Sequence, residues 1–316
     1  MRNNVVTINE NLLDTIGNTP LVELSSLSPR KGLRIFAKLE GCNPTGSLKD
    51  RIVKYMLEKA EQNGELTKDK VLLEATSGNT GISLAMIGML KGYRVKVVMP
   101  ENVTPERTQL LALYGAKVVF SPGGKGTNGA IEMAQELAQD KRYHMLYQYG
   151  NEANPLAHYE TTAVEILREV PRVDAFVAGL GTGGTLMGIG RRLKEVNPKT
   201  RVLAVVPHPG EMIDGLRSLD EGFIPPILDV SLLDGRMVVD SRDSFIATRE
   251  LTQKEGIFAG ISSGAVIHGV MKIAKKMESG NIVALLADNG WKYLSTGLWT
   301  KDISQLETDL GRKVWW

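Results

Sequence analysis

Short apolar runs alternate with helical patterns along almost the whole chain, and that alternation restricts the fold more than any other feature. Residues 35–39, 71–74, 95–99, 116–120, 144–149, 175–180, 201–206 and 282–288 read as strands, with Gln148 in the end of the 144–149 run. Between most of them lie segments with apolar residues at helical spacing. Parallel strands covered on both faces read as near-continuous apolar runs, and each needs a crossover helix to reach the next. The pattern therefore predicts an α/β protein built from βαβ units around mainly parallel sheet. No linker or internal repeat interrupts it.

Charge and cysteine content exclude several function classes. Thirty-eight basic and thirty-six acidic residues leave a formal charge of +2, without the basic run that marks nucleic-acid or membrane-surface binding. Small metabolites are the expected partners. No window reaches the length of a membrane span, and the first residues carry no long apolar run, so a cytoplasmic location is expected. The single Cys42 rules out an internal disulfide and reads as a buried bystander thiol.

The stretch 43–51, NPTGSLKDR, places one amine where a turn becomes a helix. Pro44 and Gly46 suit a tight turn, Ser47 is a candidate helix cap, and Asp50 stands three residues later in the capping-box position. Ile52, Val53, Met56, Leu57 and Ala60 then share a helical face that Gly64 ends. A lysine in the first turn opposes the positive end of the helix dipole, which singles out Lys49 as a candidate reactive group. An ordinary solvated lysine is the alternative.

Two glycine clusters follow apolar runs and open helices. Gly181, Thr182, Gly183, Gly184 and Thr185 combine backbone N–H groups with two hydroxyls, a phosphate cup at a helix N-terminus. Gly179, Gly181 and Gly184 also fit a dinucleotide fingerprint, but the next strand ends in Val206, Pro207 and His208, where an acidic residue for the ribose is required. A single phosphate is the better reading. Thr76 to Gly81 forms a second cup, with side-chain donors at Thr76, Ser77, Asn79 and Thr80, suited to a carboxylate; helix capping is the plain alternative. The glycine-rich segment 121–129 reads as a mobile surface loop. His144, His158, His208 and His268 show no ligand spacing, so no metal is expected.

A phosphate cup, a carboxylate cup and a lysine at strand ends describe a site for pyridoxal 5'-phosphate and an amino acid. In these motifs the chain resembles the cysteine synthase family of fold-type-II pyridoxal-phosphate enzymes. The segments 16–21, 44–51, 76–81, 181–185 and 260–264 match in family order, and 147–151 with 293–297 point to its B-type branch. The resemblance implies two open, mainly parallel βαβ domains with the site between them. Residues 36–157 would form the smaller, mobile domain, and residues 1–35 with 158–316 the larger one. It further implies that Lys49 carries the cofactor as an internal aldimine and that Asn79 bonds its 3-hydroxyl. Gly181, Thr182, Gly183, Gly184 and Thr185 would hold its phosphate, and Ser262 would face its ring nitrogen. Thr76, Ser77, Thr80 and Gln148 would take the substrate carboxylate, and Arg217 a substrate phosphate.

The implied reaction is β-replacement on O-phospho-L-serine or O-acetyl-L-serine by sulfide or another sulfur donor, through α-aminoacrylate, to L-cysteine, in a homodimer. A serine or threonine dehydratase, a cystathionine-forming enzyme and a catalytically silent regulator are the alternatives. Two departures bear on substrate choice: Ala75 replaces a proline common in relatives, and Val206-Pro207-His208 replaces the usual Glu-Pro. The tail 303–316 reads either as a cover over the site or as a dimer contact.

Overall fold

The computed structural model describes residues 8–310. Its strands are β1 (Leu21–Glu23), β2 (Leu33–Leu39), β3 (Val71–Ala75), β4 (Arg94–Pro100), β5 (Lys117–Ser121), β6 (Tyr143–Met145), β7 (Ala175–Gly179), β8 (Arg201–Pro207), β9 (Gly235–Val239) and β10 (Gly280–Leu286). They form a six-stranded sheet of order β1-β2-β10-β7-β8-β9 and a four-stranded sheet of order β5-β4-β3-β6. Every pairing is parallel except β1 with β2. The helices are α1 (Lys49–Gln62), α2 (Asn79–Leu90), α3 (Pro105–Leu113), α4 (Gly126–Leu137), α5 (Ala153–Ala157), α6 (Ala163–Glu169), α7 (Gly184–Val196), α8 (Ser241–Glu255), α9 (Ile261–Ala274) and α10 (Ile303–Leu310).

Both faces of each sheet are covered, which is why the strands read as apolar runs. On β10, Ile282, Ala284 and Leu286 join the core beneath α8 and α9, whereas Val283 and Leu285 join the opposite core with residues of α6 and α7. Apolar residues of α1, α2 and α3 cover one face of the four-stranded sheet, and α4 covers the other. Each fully buried Val, Leu or Ile contributes about 1.5–3 kcal/mol relative to exposure.

The chain changes lobe at the turn before Lys49. β2 lies in the six-stranded sheet, Leu48 packs in a core of that sheet, and from Ile52 onward α1 packs with the other lobe. The domain division expected at residue 36 thus falls inside β2.

Several local expectations need correction. The N-cap of α1 is Leu48, and the Ser47 hydroxyl only accepts the Lys49 N–H at 3.3 Å. Asp50 forms no capping box, because its carboxylate turns back to the Thr45 N–H and the hydroxyls of Thr45 and Ser83. Segment 121–129 runs from the last residue of β5 through a helical turn at Gly123–Lys125 into the start of α4, whose buried Ala130, Ile131 and Ala134 supply the apolar face that the glycines masked. β6 stops at Met145, and Tyr147, at φ 51°, turns the chain so that Gln148 is buried. Cys42 is exposed, although partial desolvation and the Glu40 charge raise its pKa and keep it a thiol. Part of the tail expectation, residues 311–316, lies outside the described residues.

A buried ionic cluster fixes the start of α1. Arg51 Nε bonds Glu40 at 2.6 Å and its Nη1 bonds Glu165 at 2.7 Å, while Lys38 reaches Glu165 at 2.7 Å. Burial pushes the Glu165 pKa up, but the hydrogen bonds and charges of Arg51 and Lys38 outweigh it and bring the value down to about 2. A depressed carboxylate pKa stabilises the fold above its unfolded value of 4.5, and that contribution is lost as pH falls toward 2. Glu165→Gln should therefore flatten the acid side of the stability curve between those values. At pH 7 it should destabilise the protein by about 3–5 kcal/mol through uncompensated buried charge, measured by urea unfolding across pH.

Candidate active site

The C-terminal ends of β3, β7, β8 and β10 and the turn after β2 converge on one cleft. It encloses about 920 Å³ including its mouth and is lined by Lys49, Thr76, Ser77, Asn79, Thr80, Gln148, Gly181, Thr182 and Arg217 among others. Below it a smaller recess of about 430 Å³ is lined by Lys49, Gly181, Thr182, Gly183, Thr185 and Ser262, with Val266, Leu285 and Ala287 as apolar wall. Lys49 is common to both. Of the expected residues only Gly184 stands back from these walls, in the first turn of α7.

The Lys49 amine makes no hydrogen bond or close ion pair among the described residues. Burial lowers its pKa to about 8, and the Asp288 charge only partly offsets the shift. A substantial neutral fraction at physiological pH makes it both nucleophile and base.

In the recess, Gly183 at φ 92° turns the backbone into α7, whose first N–H groups lack intrahelical partners. Gly184 is required for close approach, since a Cβ there would lie 2.0 Å from Asn154 Oδ1. The Asn154 Nδ2 donates to Thr182 Oγ1 at 3.0 Å and to the Gln148 carbonyl at 2.8 Å. Thr185 Oγ1 lies 3.2 Å from His158 Nε2, and burial holds that imidazole neutral. Among the described residues no carboxylate lines the recess. Amides, hydroxyls, an apolar wall and one amine are the donor set for a phosphorylated aromatic aldehyde, so the residues present fit pyridoxal phosphate.

The Thr76–Thr80 loop is more internally bonded than its composition suggested. Thr80 Oγ1 donates to Gln148 Oε1 at 2.7 Å, Gln148 Nε2 donates to the Ala75 carbonyl at 3.2 Å, and Thr76 Oγ1 accepts the Gly78 N–H at 3.0 Å. Asn79 Nδ2 donates to Asp288 at 2.7 Å, and its Oδ1 accepts from Lys292 at 2.6 Å. Arg107 supports this loop through the Ser77 carbonyl at 3.2 Å and forms an ion pair with Asp214 of the opposite lobe. Arg217 is buried, with one nitrogen 2.9 Å from Asn128 Oδ1 and its guanidinium over the rings of Tyr149 and Phe223.

Sequence reasoning missed Arg107, Asn154, Asp214, Asp288 and Lys292. Only the strand-end position of Asp288 was a usable signal, because the others come from separate elements. His208 lies beside Glu211 and Asp240, with one ligand atom of each within 4.8 Å of the others, on exposed or half-buried surface. The Glu211 carboxylate is already held by the Ser241 N–H and hydroxyl.

Two parallel-sheet lobes around a buried lysine and an anion cradle define the pyridoxal-phosphate enzymes of fold type II. The family model described as "Pyridoxal-phosphate dependent enzyme" matches residues 12–288. Cysteine synthase B of Escherichia coli (strain K12) is 41% identical over 292 residues, covering 92% of this chain and 96% of that protein. The crystal structure of O-ureido-L-serine synthase matches with TM-score 0.88 at 38% identity, covering 95% of this chain and 100% of that one. Cysteine synthase from Entamoeba histolytica matches with TM-score 0.87 at 35% identity, covering 96% of each chain. The chain belongs to the cysteine synthase family and is a pyridoxal-phosphate-dependent transferase.

Gly184→Ala should push Asn154 off Thr182 and the Gln148 carbonyl. A loss of about 1.4 kcal/mol or more corresponds to at least roughly tenfold weaker pyridoxal-phosphate binding, measured by fluorescence titration of the apoenzyme.

Proposed function

We propose that this enzyme is a cysteine synthase that replaces the β-substituent of O-phospho-L-serine or O-acetyl-L-serine with sulfur to give L-cysteine. The observation that carries the reading is the convergence of the weakly basic, buried Lys49 with the hydroxyl-and-amide cradle and the Thr76–Thr80 loop in one cleft. In this reading Lys49 is the cofactor's attachment point, residues 181–185 take its phosphate, Asn79 its 3-oxygen and Ser262 its ring nitrogen. When bound, pyridoxal phosphate supplies an electron sink for the pair left at the substrate Cα. A neutral hydroxyl at Ser262 does not fix a proton on the ring, which favours elimination over transamination.

The protein's own residues supply the rest. Thr76, Ser77, Thr80 and Gln148 orient the substrate carboxylate. With the cofactor and substrate in place, the free Lys49 Nζ would take the Cα proton; the β-substituent would leave with its bonding pair, a sulfur nucleophile would bring its own pair to Cβ, and Lys49 would return the proton to Cα. The four-stranded lobe carries the carboxylate loop and is assigned the closing motion over the substrate. The family supports a cytoplasmic homodimer, which light scattering tests for assembly.

Phosphoserine is favoured as one substrate by Arg217, a buried guanidinium on the cleft wall that Asn128 and the Tyr149 hydroxyl hold in place. A charge-assisted bond contributes about 1.5–3 kcal/mol, so Arg217→Ala should lower kcat/KM for O-phosphoserine roughly ten- to a hundredfold while that for O-acetylserine changes little. Equal losses on both would reject Arg217 as the phosphate reader. Lys49→Ala should abolish cysteine formation with folding intact by circular dichroism. In the parent enzyme, borohydride should attach the cofactor covalently to the peptide containing Lys49. A protein that takes up no pyridoxal phosphate sinks the reading.

A further inference from the structure

Lys292 is fully buried, yet no carboxylate lies within ion-pairing distance of it among the described residues. Its ammonium donates instead to two neutral oxygens, Asn79 Oδ1 at 2.6 Å and the Gly46 carbonyl at 3.4 Å, and lies 5.2 Å from the centre of the Trp291 ring. Asp288 and Asp50 attract it from farther away, whereas Arg107 and Lys49 oppose it. Burying a cation without a paired acid is costly, and hydrogen bonds to neutral groups offset only part of that cost. An arrangement of this kind in the wall of an active site calls for a role beyond packing.

The hydrogen-bond chemistry of its neighbours supplies one. An ammonium has no acceptor, so the atom of Asn79 that faces Lys292 must be the amide oxygen. On the other side Asp288 Oδ2 accepts from Asn79 Nδ2 at 2.7 Å and from the Tyr293 hydroxyl at 2.7 Å. Flipping the Asn79 amide would set its NH2 against the ammonium and its oxygen against the carboxylate, two repulsions at once. Nδ2 has a second hydrogen, and with Oδ1 occupied the side chain can offer a ligand only a donor. The charge on Oδ1 also polarises the amide and strengthens that donor. The contact with Gly46 joins the same ammonium to the turn that carries Lys49.

We propose that Lys292 is a positioning residue that, opposite Asp288, locks the Asn79 amide as a hydrogen-bond donor to the cofactor. The proposal rests on the assignment of Asn79 to the cofactor's 3-oxygen. It predicts that Lys292 acts through Asn79 and not on its own.

The test is a double-mutant cycle on the holoenzyme with Lys292→Met, Asn79→Ala and the combination, read by the absorption spectrum of bound pyridoxal phosphate and by turnover. Each single variant should shift the absorption maximum in the same direction and lower kcat by about tenfold or more, with KM little changed. On the Asn79→Ala background, Lys292→Met should add no spectral shift and less than about a twofold further loss. Lys292→Arg, which also only donates, should restore the parent spectrum. The melting temperature of apo Lys292→Met should not fall, because a buried cation without an acidic partner adds little stability. Lys292→Gln serves as a second neutral variant if the methionine protein does not fold. Equal effects of Lys292→Met with and without Asn79, or failure of the arginine variant to restore the spectrum, would overturn the proposal while leaving the enzyme assignment intact. A parent protein that binds no pyridoxal phosphate would overturn that assignment first.

Discussion

The ionic cluster around Arg51 is the interaction on which the rest of the site depends. Arg51 lies two residues beyond Lys49, and its guanidinium bonds Glu40, in the turn after β2, and Glu165 on α6. The Asn18 N–H also bonds Glu165, and the Lys38 ammonium donates to the Thr19 carbonyl at 2.6 Å. Removing these charges from water is expensive and is offset only because each finds partners of good geometry. The arrangement leaves α1 one orientation relative to the six-stranded sheet. The amine at its first residue is thereby held at the junction of the lobes without spending hydrogen bonds of its own.

A second network spans the cleft and ties its two loops together. Thr80 bonds the Gln148 side chain, Asn154 bonds the Gln148 carbonyl, and Asn154 also bonds Thr182. The Thr76–Thr80 loop on one lobe is thus continuous with the 181–185 turn on the other. Donors fixed in this way before a ligand arrives need not reorganise during reaction, where preorganised electrostatics has most effect. Glu74, at the end of β3, accepts the Gln148 N–H, and burial raises its carboxyl pKa to about 8. At neutral pH that carboxyl is largely protonated, which avoids a buried negative charge beside the Thr76–Thr80 loop.

Local pattern carried much of the architecture into view. The apolar runs at 71–74, 175–180 and 201–206 became β3, β7 and β8 nearly as read, because a strand buried on both faces leaves a short apolar run whatever surrounds it. The edge strands β1 and β9 left a weak signal, since half their residues face water. Segment 121–129 misled because glycine reports backbone freedom, whereas α4 is held by apolar packing that begins only at Ala130.

The sequence by itself determined that this chain builds parallel βαβ units, that strand-to-helix turns rich in glycine and hydroxyls end at Gly81 and Thr185, and that Lys49 opens a helix. Those properties are written in residues close together along the chain, where spacing alone constrains geometry. Tertiary structure decided that Asp288 and Lys292 grip Asn79 from opposite sides, that Asn154 joins the two loops, and that burial shifts Lys49 toward its neutral form. These depend on which distant segments exclude water from one another, and exclusion of water is a property of the packed whole that no local pattern encodes.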